Sequence, residues 1–141
     1  MRRRHAFAGA FAAAAVFAGQ ASADGGVVNP PLADGVWRNP ENSVHVEIHT
    51  CGEAVCGYVV WASPRAEADA RRGGTDVLVG LRLFRDFVRQ KTGEWRGTIF
   101  VPDLNATLAG SAVALDGERL KARACLIGKL FCKSQIWTRV G

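Results

Sequence analysis

The sequence is poor in the residues that chemistry most often needs. It holds three histidines, one tyrosine and one methionine in 141 residues. His5 falls in an N-terminal leader, which leaves His45 and His49 for the rest of the chain. No Gly-x-Ser-x-Gly occurs, and with so few imidazoles no Ser-His-Asp set is supported. A glycine-rich phosphate loop is absent, and the basic residues have little aromatic interleaving, which argues against nucleic acid. Beyond the leader no stretch is long and apolar enough to cross a bilayer. Nor is there an apolar pattern of helical length, which excludes a helical bundle.

The first 23 residues read as a secretory signal peptide. Arg2, Arg3 and Arg4 make a positive start, residues 6–19 form a short uncharged run, and Ala21-Ser22-Ala23 offers a small-residue cleavage site before Asp24. The run is too short for a transmembrane span. The whole chain carries 18 basic and 13 acidic residues. Three of the basic residues leave with the leader, so 15 face 13 and the net charge falls from +5 to +2. Such a balance gives no electrostatic case for nucleic acid. Residues 24–34, with Gly25-Gly26 and Pro30-Pro31, read as a flexible lead-in, and residues 35–141 as one domain.

All four cysteines, Cys51, Cys56, Cys125 and Cys132, lie after the leader. An even count in an exported chain suggests two disulfides, with three possible pairings. The local pairs Cys51–Cys56 and Cys125–Cys132 are favoured, because each flanks a turn-like segment. The rival is zinc. A Cys-x4-Cys spacing would suit that metal, but Cys-x6-Cys is wide for it, and export favours oxidation.

What the chain has in quantity is short strands. Residues 35–50 form a strand region with a bend at Asn39-Pro40-Glu41-Asn42. From Val44 the alternation is clean, with Val44, Val46 and Ile48 on one face and His45, Glu47 and His49 on the other. Residues 56–62 return with Tyr58-Val59-Val60-Trp61, rich in strand formers. Residues 63–75 tolerate a helix, with Pro64 at the start and Gly73-Gly74 at the end. They carry almost no large apolar residue, so an exposed loop or a single helical turn is expected. Further strands are expected over 77–88 with breaks near Gly80 and at Arg85-Asp86, and over 94–101, 107–115, 119–126 and 131–140. Asp116-Gly117 is a strong hairpin signal among them. About eight short strands in one small domain suggest an all-β antiparallel meander closed into a barrel, or a sandwich. Closure is favoured because it removes the edge strands.

The order of these motifs resembles a family of small secreted bacterial proteins known as domain of unknown function 2147. The resemblance is carried by Gly35-Val36-Trp37, Cys51-Gly52-Glu53-Ala54-Val55-Cys56-Gly57, Trp95-Arg96-Gly97 and Cys132-Lys133-Ser134-Gln135-Ile136-Trp137-Thr138-Arg139. The chain departs from the commoner pattern at Phe100-Val101-Pro102-Asp103 and in residues 66–75. The resemblance implies an exported, lipocalin-like up-and-down β-barrel and no established activity. A Gly-x-Trp start is similar to the opening of lipocalins and avidins. In that arrangement an arginine of the last strand lies across the tryptophan of the first, which here implies Arg139 against Trp37.

Candidate chemistry is sparse. His45, Glu47 and His49 share a strand face and could in principle ligate a metal. Strand residues i and i+4 are about 13 Å apart, however, too far for one ion. They read as the solvent face of a half-buried strand, and neither a metal nor another cofactor is expected. Aromatic residues offer more. Tyr58, Trp61, Phe84 and Phe100 are the expected ligand-binding residues of an apolar cavity in the barrel. The expected partner is a small apolar or lipid-like ligand; the alternative is a protein-interaction module, an enzyme inhibitor or envelope factor, that meets an envelope protein through its loops. The expected location is the periplasm, and no enzymatic activity is expected.

Overall fold

The computed structural model describes residues 32, 34–127 and 130–141, apart from the side chain of Ile127. The expected signal peptide lies outside the described residues, as does the expected lead-in except for Leu32 and Asp34.

Eight strands run in chain order: β1 Gly35–Arg38, β2 Val44–Cys51, β3 Ala54–Ala62, β4 Arg82–Arg89, β5 Trp95–Val101, β6 Ala106–Ala114, β7 Arg119–Ile127 and β8 Leu130–Arg139. Each pairs antiparallel with the next, and β8 pairs back onto β1, so the sheet closes into an up-and-down barrel. Closure leaves no strand without a neighbour on either side, although the β1–β8 seam is only two residue pairs long.

Local chemistry sets the corners. Asn39 turns the chain between β1 and β2. Its carboxamide oxygen accepts from the backbone N–H of Ser43 and of Val44 at 2.8 and 3.0 Å, and its amide donates to the Ser43 hydroxyl. Asp116 closes the β6–β7 hairpin by accepting from the N–H groups of Glu118 and Arg119, both at 2.8 Å. Cys51 is bonded to Cys56 across the β2–β3 hairpin, and Cys125 to Cys132 across the β7–β8 hairpin.

One helix interrupts the meander. Residues 63–75 were expected as a loop or single turn, but α1, Pro64–Arg72, is a nine-residue helix. Its caps explain it. The Ser63 hydroxyl accepts from the N–H of Ala66, Pro64 stands in the first turn, Glu67 lies near the positive end and Arg71 and Arg72 near the negative end. The helix buries only Ala70, with Ala66 packed partly beneath it. An apolar stripe made of alanines is what conceals this element from a search for large hydrophobic residues. Residues 77–81, expected as strand, instead form a loop that leads into β4. That loop is held to β3 by the N–H of Gly80 on the Val59 carbonyl at 2.8 Å and the N–H of Val59 on the Leu81 carbonyl at 2.9 Å. The break expected at Arg85-Asp86 is a bulge, with Asp86 at φ 50° and the register slipping between Arg85 and Val88.

The barrel interior is filled at one end and open at the other. Trp37, Val46, Val55, Phe87 and Leu120 pack the half nearest the β2–β3 and β6–β7 hairpins. A void of about 10 Å³ is left there, and Leu32 from the lead-in helps to line it. Two glycines make room for interior side chains. A Cβ at Gly57 would come within 2.8 Å of Phe84, and one at Gly110 within 2.6 Å of Ile99, so only glycine leaves room. Phe84 then meets Phe87 and Trp137 edge-on, with centroids 5.8 and 5.4 Å apart.

Candidate functional site: the open mouth of the barrel

Above this packed floor a cavity of about 950 Å³ opens between the β1–β2 corner, α1, the β5–β6 turn and the β7–β8 end of the barrel. A volume of that order is ample for a small organic ligand. One wall is apolar, made by Leu83 and Phe84 of β4, Ile99 of β5 and Leu108 of β6. The facing wall comes from β7 and β8. Alternate residues of β7, Ala122 and Ala124, stand opposite Gln135 and Lys133 of β8, and Leu120 stands opposite Trp137 one step deeper. The alanines are why space remains: a larger side chain on the same rungs would fill it.

Polar atoms reach the cavity at a few places. Lys133, Gln135 and Trp137 form a row along the inner face of β8. Trp137 is 5% exposed, and its indole Nε1 is buried with no hydrogen-bond partner among the described residues. Trp95 Nε1 is in the same state, outside this cavity. Around the rim stand Arg65 and Asp69 of α1, Glu41 of the β1–β2 corner and Asp103 of the β5–β6 turn. Asp69 pairs with Arg72 on its own helix. Burial pushes the Asp103 carboxyl above the ordinary aspartate range. The neighbouring Asp69 charge adds to this, and Arg72 opposes it.

α1 is fixed over the mouth by contacts to the β5–β6 turn. The Thr75 hydroxyl donates to the Pro102 carbonyl at 2.8 Å. Gly73 lies so close to that turn that a Cβ would overlap the Asp103 carbonyl oxygen.

Of the four aromatic residues expected to bind ligand, the structure brings Phe84 into the cavity wall. Phe100 touches the cavity, but its ring carries the Arg85 guanidinium 4.9 Å from its centre, and Arg85 also donates to Thr107, the residue paired with Phe100. Tyr58 and Trp61 require correction: neither lines the cavity. Both lie on the outer wall with the histidines. Tyr58 stacks on His49 at 5.1 Å, and Trp61, 43% exposed, meets His45 at 4.7 Å. The cause for Trp61 is a bulge. His45 pairs with Trp61 and Val46 with Val59, so Val60 is an extra residue that returns Trp61 to the outside. The residues that the aromatic search passed over are Lys133 and Gln135. Their signal was present in the alternation of β8, which places both on the same face as Trp137.

The remaining expected residues are structural. Cys51 and Cys56 lie near Asp86 in an arrangement that free thiolates could offer to a metal, but both sulfurs are in a disulfide. Arg82 covers that disulfide, donating to Cys56 Sγ at 2.9 Å and to Asp86 at 2.7 Å. Trp37 and Arg139 face each other across the β1–β8 seam.

A closed eight-stranded antiparallel barrel, packed at one end and open at the other, is a lipocalin-like fold. The comparison with solved structures agrees. Over 79% of this chain and 85% of the other, the barrel is similar to protein HP1028 from the human pathogen Helicobacter pylori, described as belonging to the lipocalin family, with a TM-score of 0.61 and 12% identity. Residues 35–139 match the family described as "Uncharacterized protein conserved in bacteria (DUF2147)", and the chain belongs to that family. No curated protein matches the sequence. Among the described residues no helix is long and apolar enough to cross a membrane.

Proposed function

We propose that this protein is an exported, non-enzymatic binding protein of the bacterial periplasm, taking a small apolar or lipid-like ligand in the open mouth of its barrel. The observation that carries the reading is the cavity of about 950 Å³ with the apolar wall of Leu83, Phe84, Ile99 and Leu108. Export is supported by the leader-like residues 1–23 and by two disulfides, bonds that persist in oxidising compartments. Binding rather than catalysis is supported by the placement of His45 and His49 on the outer wall, each against an aromatic ring and neither lining the cavity.

Native mass spectrometry of protein purified from the periplasm tests this reading. The expected result is an added mass that is lost on denaturation, or uptake of such a mass from a lipid extract. A protein that stays ligand-free in both overturns it. One observation favours a second reading, in which the mouth loops hold an envelope protein. Leu104, Leu126, Leu130 and Phe131 stand exposed at that end of the barrel, Phe131 at 75%. Crosslinking from Phe131 to an envelope protein in cells, with no retained small molecule, would support this second reading.

A further inference from the structure

The donors in the mouth are unequally placed, and their placement says what kind of ligand fits. Lys133, Gln135 and Trp137 occupy successive inward positions of β8, so about 13 Å of strand separates the first from the last. Among the described residues the side chains of Lys133, which is exposed, and Gln135, which is half-buried, make no hydrogen bond or ion pair, and Trp137 Nε1 is buried without one. A buried indole N–H with no acceptor is disfavoured by its lost hydration, and binding of an acceptor relieves that. In the order of the closed sheet β4 lies across the barrel from β8, and the 5.4 Å approach of Phe84 to Trp137 spans that gap. The cavity therefore has a row of donors on one side and a hydrocarbon wall on the other.

Charge sharpens the choice. Lys133 is the one cation on the β7–β8 wall of the cavity, whereas the rim charges, Arg65 with Glu41, Asp69 and Asp103, all belong to α1, the β1–β2 corner and the β5–β6 turn, and Asp69 among them is engaged by Arg72. An ammonium without a carboxylate partner, next to an amide and at the outer end of a row that begins at a buried indole N–H, favours an oxyanion over a neutral oxygen. A charge-assisted bond is about twice as strong as a neutral one. Resting on the reading of the mouth as a ligand site, we propose that the ligand is an anionic amphiphile, a carboxylate or similar oxyanion on a hydrocarbon body. Its charged group is held by the β8 row at Lys133, and its body lies against Leu83, Phe84 and Ile99.

The test uses the mature protein and three C12 probes: dodecanoate and dodecyltrimethylammonium below their micellar concentrations, and dodecan-1-ol below its solubility limit. Binding is followed by calorimetry for wild type, Lys133→Gln and Gln135→Leu, with circular dichroism to verify that each variant is folded. Both substituted residues are outside the packed core, so folding is expected to survive. Dodecanoate is expected to bind wild type at least tenfold more tightly than the alcohol. Lys133→Gln is expected to remove roughly tenfold of that preference, and Gln135→Leu a smaller part. If dodecanoate and dodecan-1-ol bind equally, if the ammonium binds best, or if Lys133→Gln leaves the preference unchanged, the anionic assignment is overturned while the mouth remains a ligand site. If none of the three binds and native mass spectrometry shows no retained ligand, the ligand-site reading itself fails.

Discussion

The Arg139 guanidinium lies 5.7 Å from the centre of the Trp37 ring, and the two residues are paired across the seam where β8 closes onto β1. The seam is short. It consists of the pairs Trp37 with Arg139 and Arg38 with Thr138, extended by the Val36 N–H on the Gly141 carbonyl at 3.1 Å and the Val140 N–H on the Val36 carbonyl at 2.7 Å. Gly35 permits this approach: at φ 145° it leaves 2.7 Å between a notional Cβ and the Gly141 carbonyl oxygen. Trp37, 2% exposed, anchors the packed end of the barrel, and Arg139 covers its face while β8 ends beside it.

A double-mutant cycle on this pair is expected to show coupling. Trp37→Phe and Arg139→Lys should each destabilise, and together by about 0.5–1 kcal/mol less than the sum, because a cation–π contact at this range is removed only once. Lysine keeps the charge but loses the planar face, so Arg139→Lys isolates stacking from charge. Urea unfolding of the four proteins measures it, and strict additivity would contradict the role assigned to the pair.

Much of this was legible from residue pattern. The alternation of Val44, Val46 and Ile48 against His45, Glu47 and His49 identifies the inner and outer faces of β2, since a half-buried strand admits no other arrangement. The Asp116-Gly117 turn is a local signal satisfied locally. What was not legible depends on contacts distant in sequence. The bulge at Val60 is set by pairing with β2, and a two-residue periodicity carried through it assigns Trp61 to the wrong face. α1 is held by its caps, by buried Ala70 and by the β5–β6 turn, none of which shows as a hydrophobic stripe. The cavity follows from small residues, Ala122 and Ala124, whose effect depends on what stands across the barrel.

The contact of Gly73 with the β5–β6 turn is expected to control the mouth. A methyl group there would collide with the Asp103 backbone, which cannot move as a flexible side chain could. Gly73→Ala should destabilise by about 1–3 kcal/mol. It should also raise hydrogen exchange in α1 and residues 102–105 more than in the packed half of the barrel. Exchange that rises uniformly would mean that α1 is not a separable part of the mouth.

The Asp103 carboxyl gives a pH dependence of definite sign. Its pKa is raised by burial first and by Asp69 second. The folded protein therefore holds this proton more tightly than the unfolded chain, where aspartate titrates near about 3.9. Stability from this group is fully present below that value and is lost as pH rises through the raised folded value. At neutral pH Asp103 is thus a net burden, and Asp103→Asn is expected to raise Tm. The gain should shrink to nothing as pH falls below about 4. Asp116 behaves oppositely. The Glu118 backbone N–H, then the Arg119 side chain, lower its pKa, so its contribution is present above the ordinary aspartate range and fades as pH falls through its folded value. Melting curves of wild type and both Asp→Asn variants from pH 3 to 7 separate the two, and a Tm gain for Asp103→Asn that persists at pH 3 would refute the assignment.

Removing the hairpin crosslinks is expected to have modest and separable effects. Each closes a short loop, with five residues of sequence separation for Cys51–Cys56 and seven for Cys125–Cys132. Loop-closure entropy then gives about 2 kcal/mol apiece. Replacing Cys51 and Cys56 together by alanine should exceed this, because Arg82, which now donates to Cys56 Sγ, would be left with Asp86 alone among its side-chain partners here. Chemical denaturation of the two double variants checks the order, and an equal or reversed loss would show that the Arg82 contact contributes nothing.

Filling the cavity separates binding in the mouth from binding on the loops. Ala124 faces the cavity from β7, paired with Lys133 of β8, and is only partly buried. Phenylalanine at this position would project into open space rather than into packed atoms, so Ala124→Phe should change stability by less than about 1 kcal/mol. The added ring would stand beside Lys133 and between the donor row and the hydrocarbon wall of Ile99 and Leu108. A ligand held in the mouth must then be displaced, and its affinity should fall at least tenfold, whereas a protein partner gripping Leu104, Leu130 and Phe131 from outside would be retained. Calorimetry with dodecanoate, alongside crosslinking from Phe131 in the same variant, reads both outcomes. If Ala124→Phe binds dodecanoate as wild type does, the ligand does not enter the cavity, and the exposed apolar rim becomes the better place to look for function.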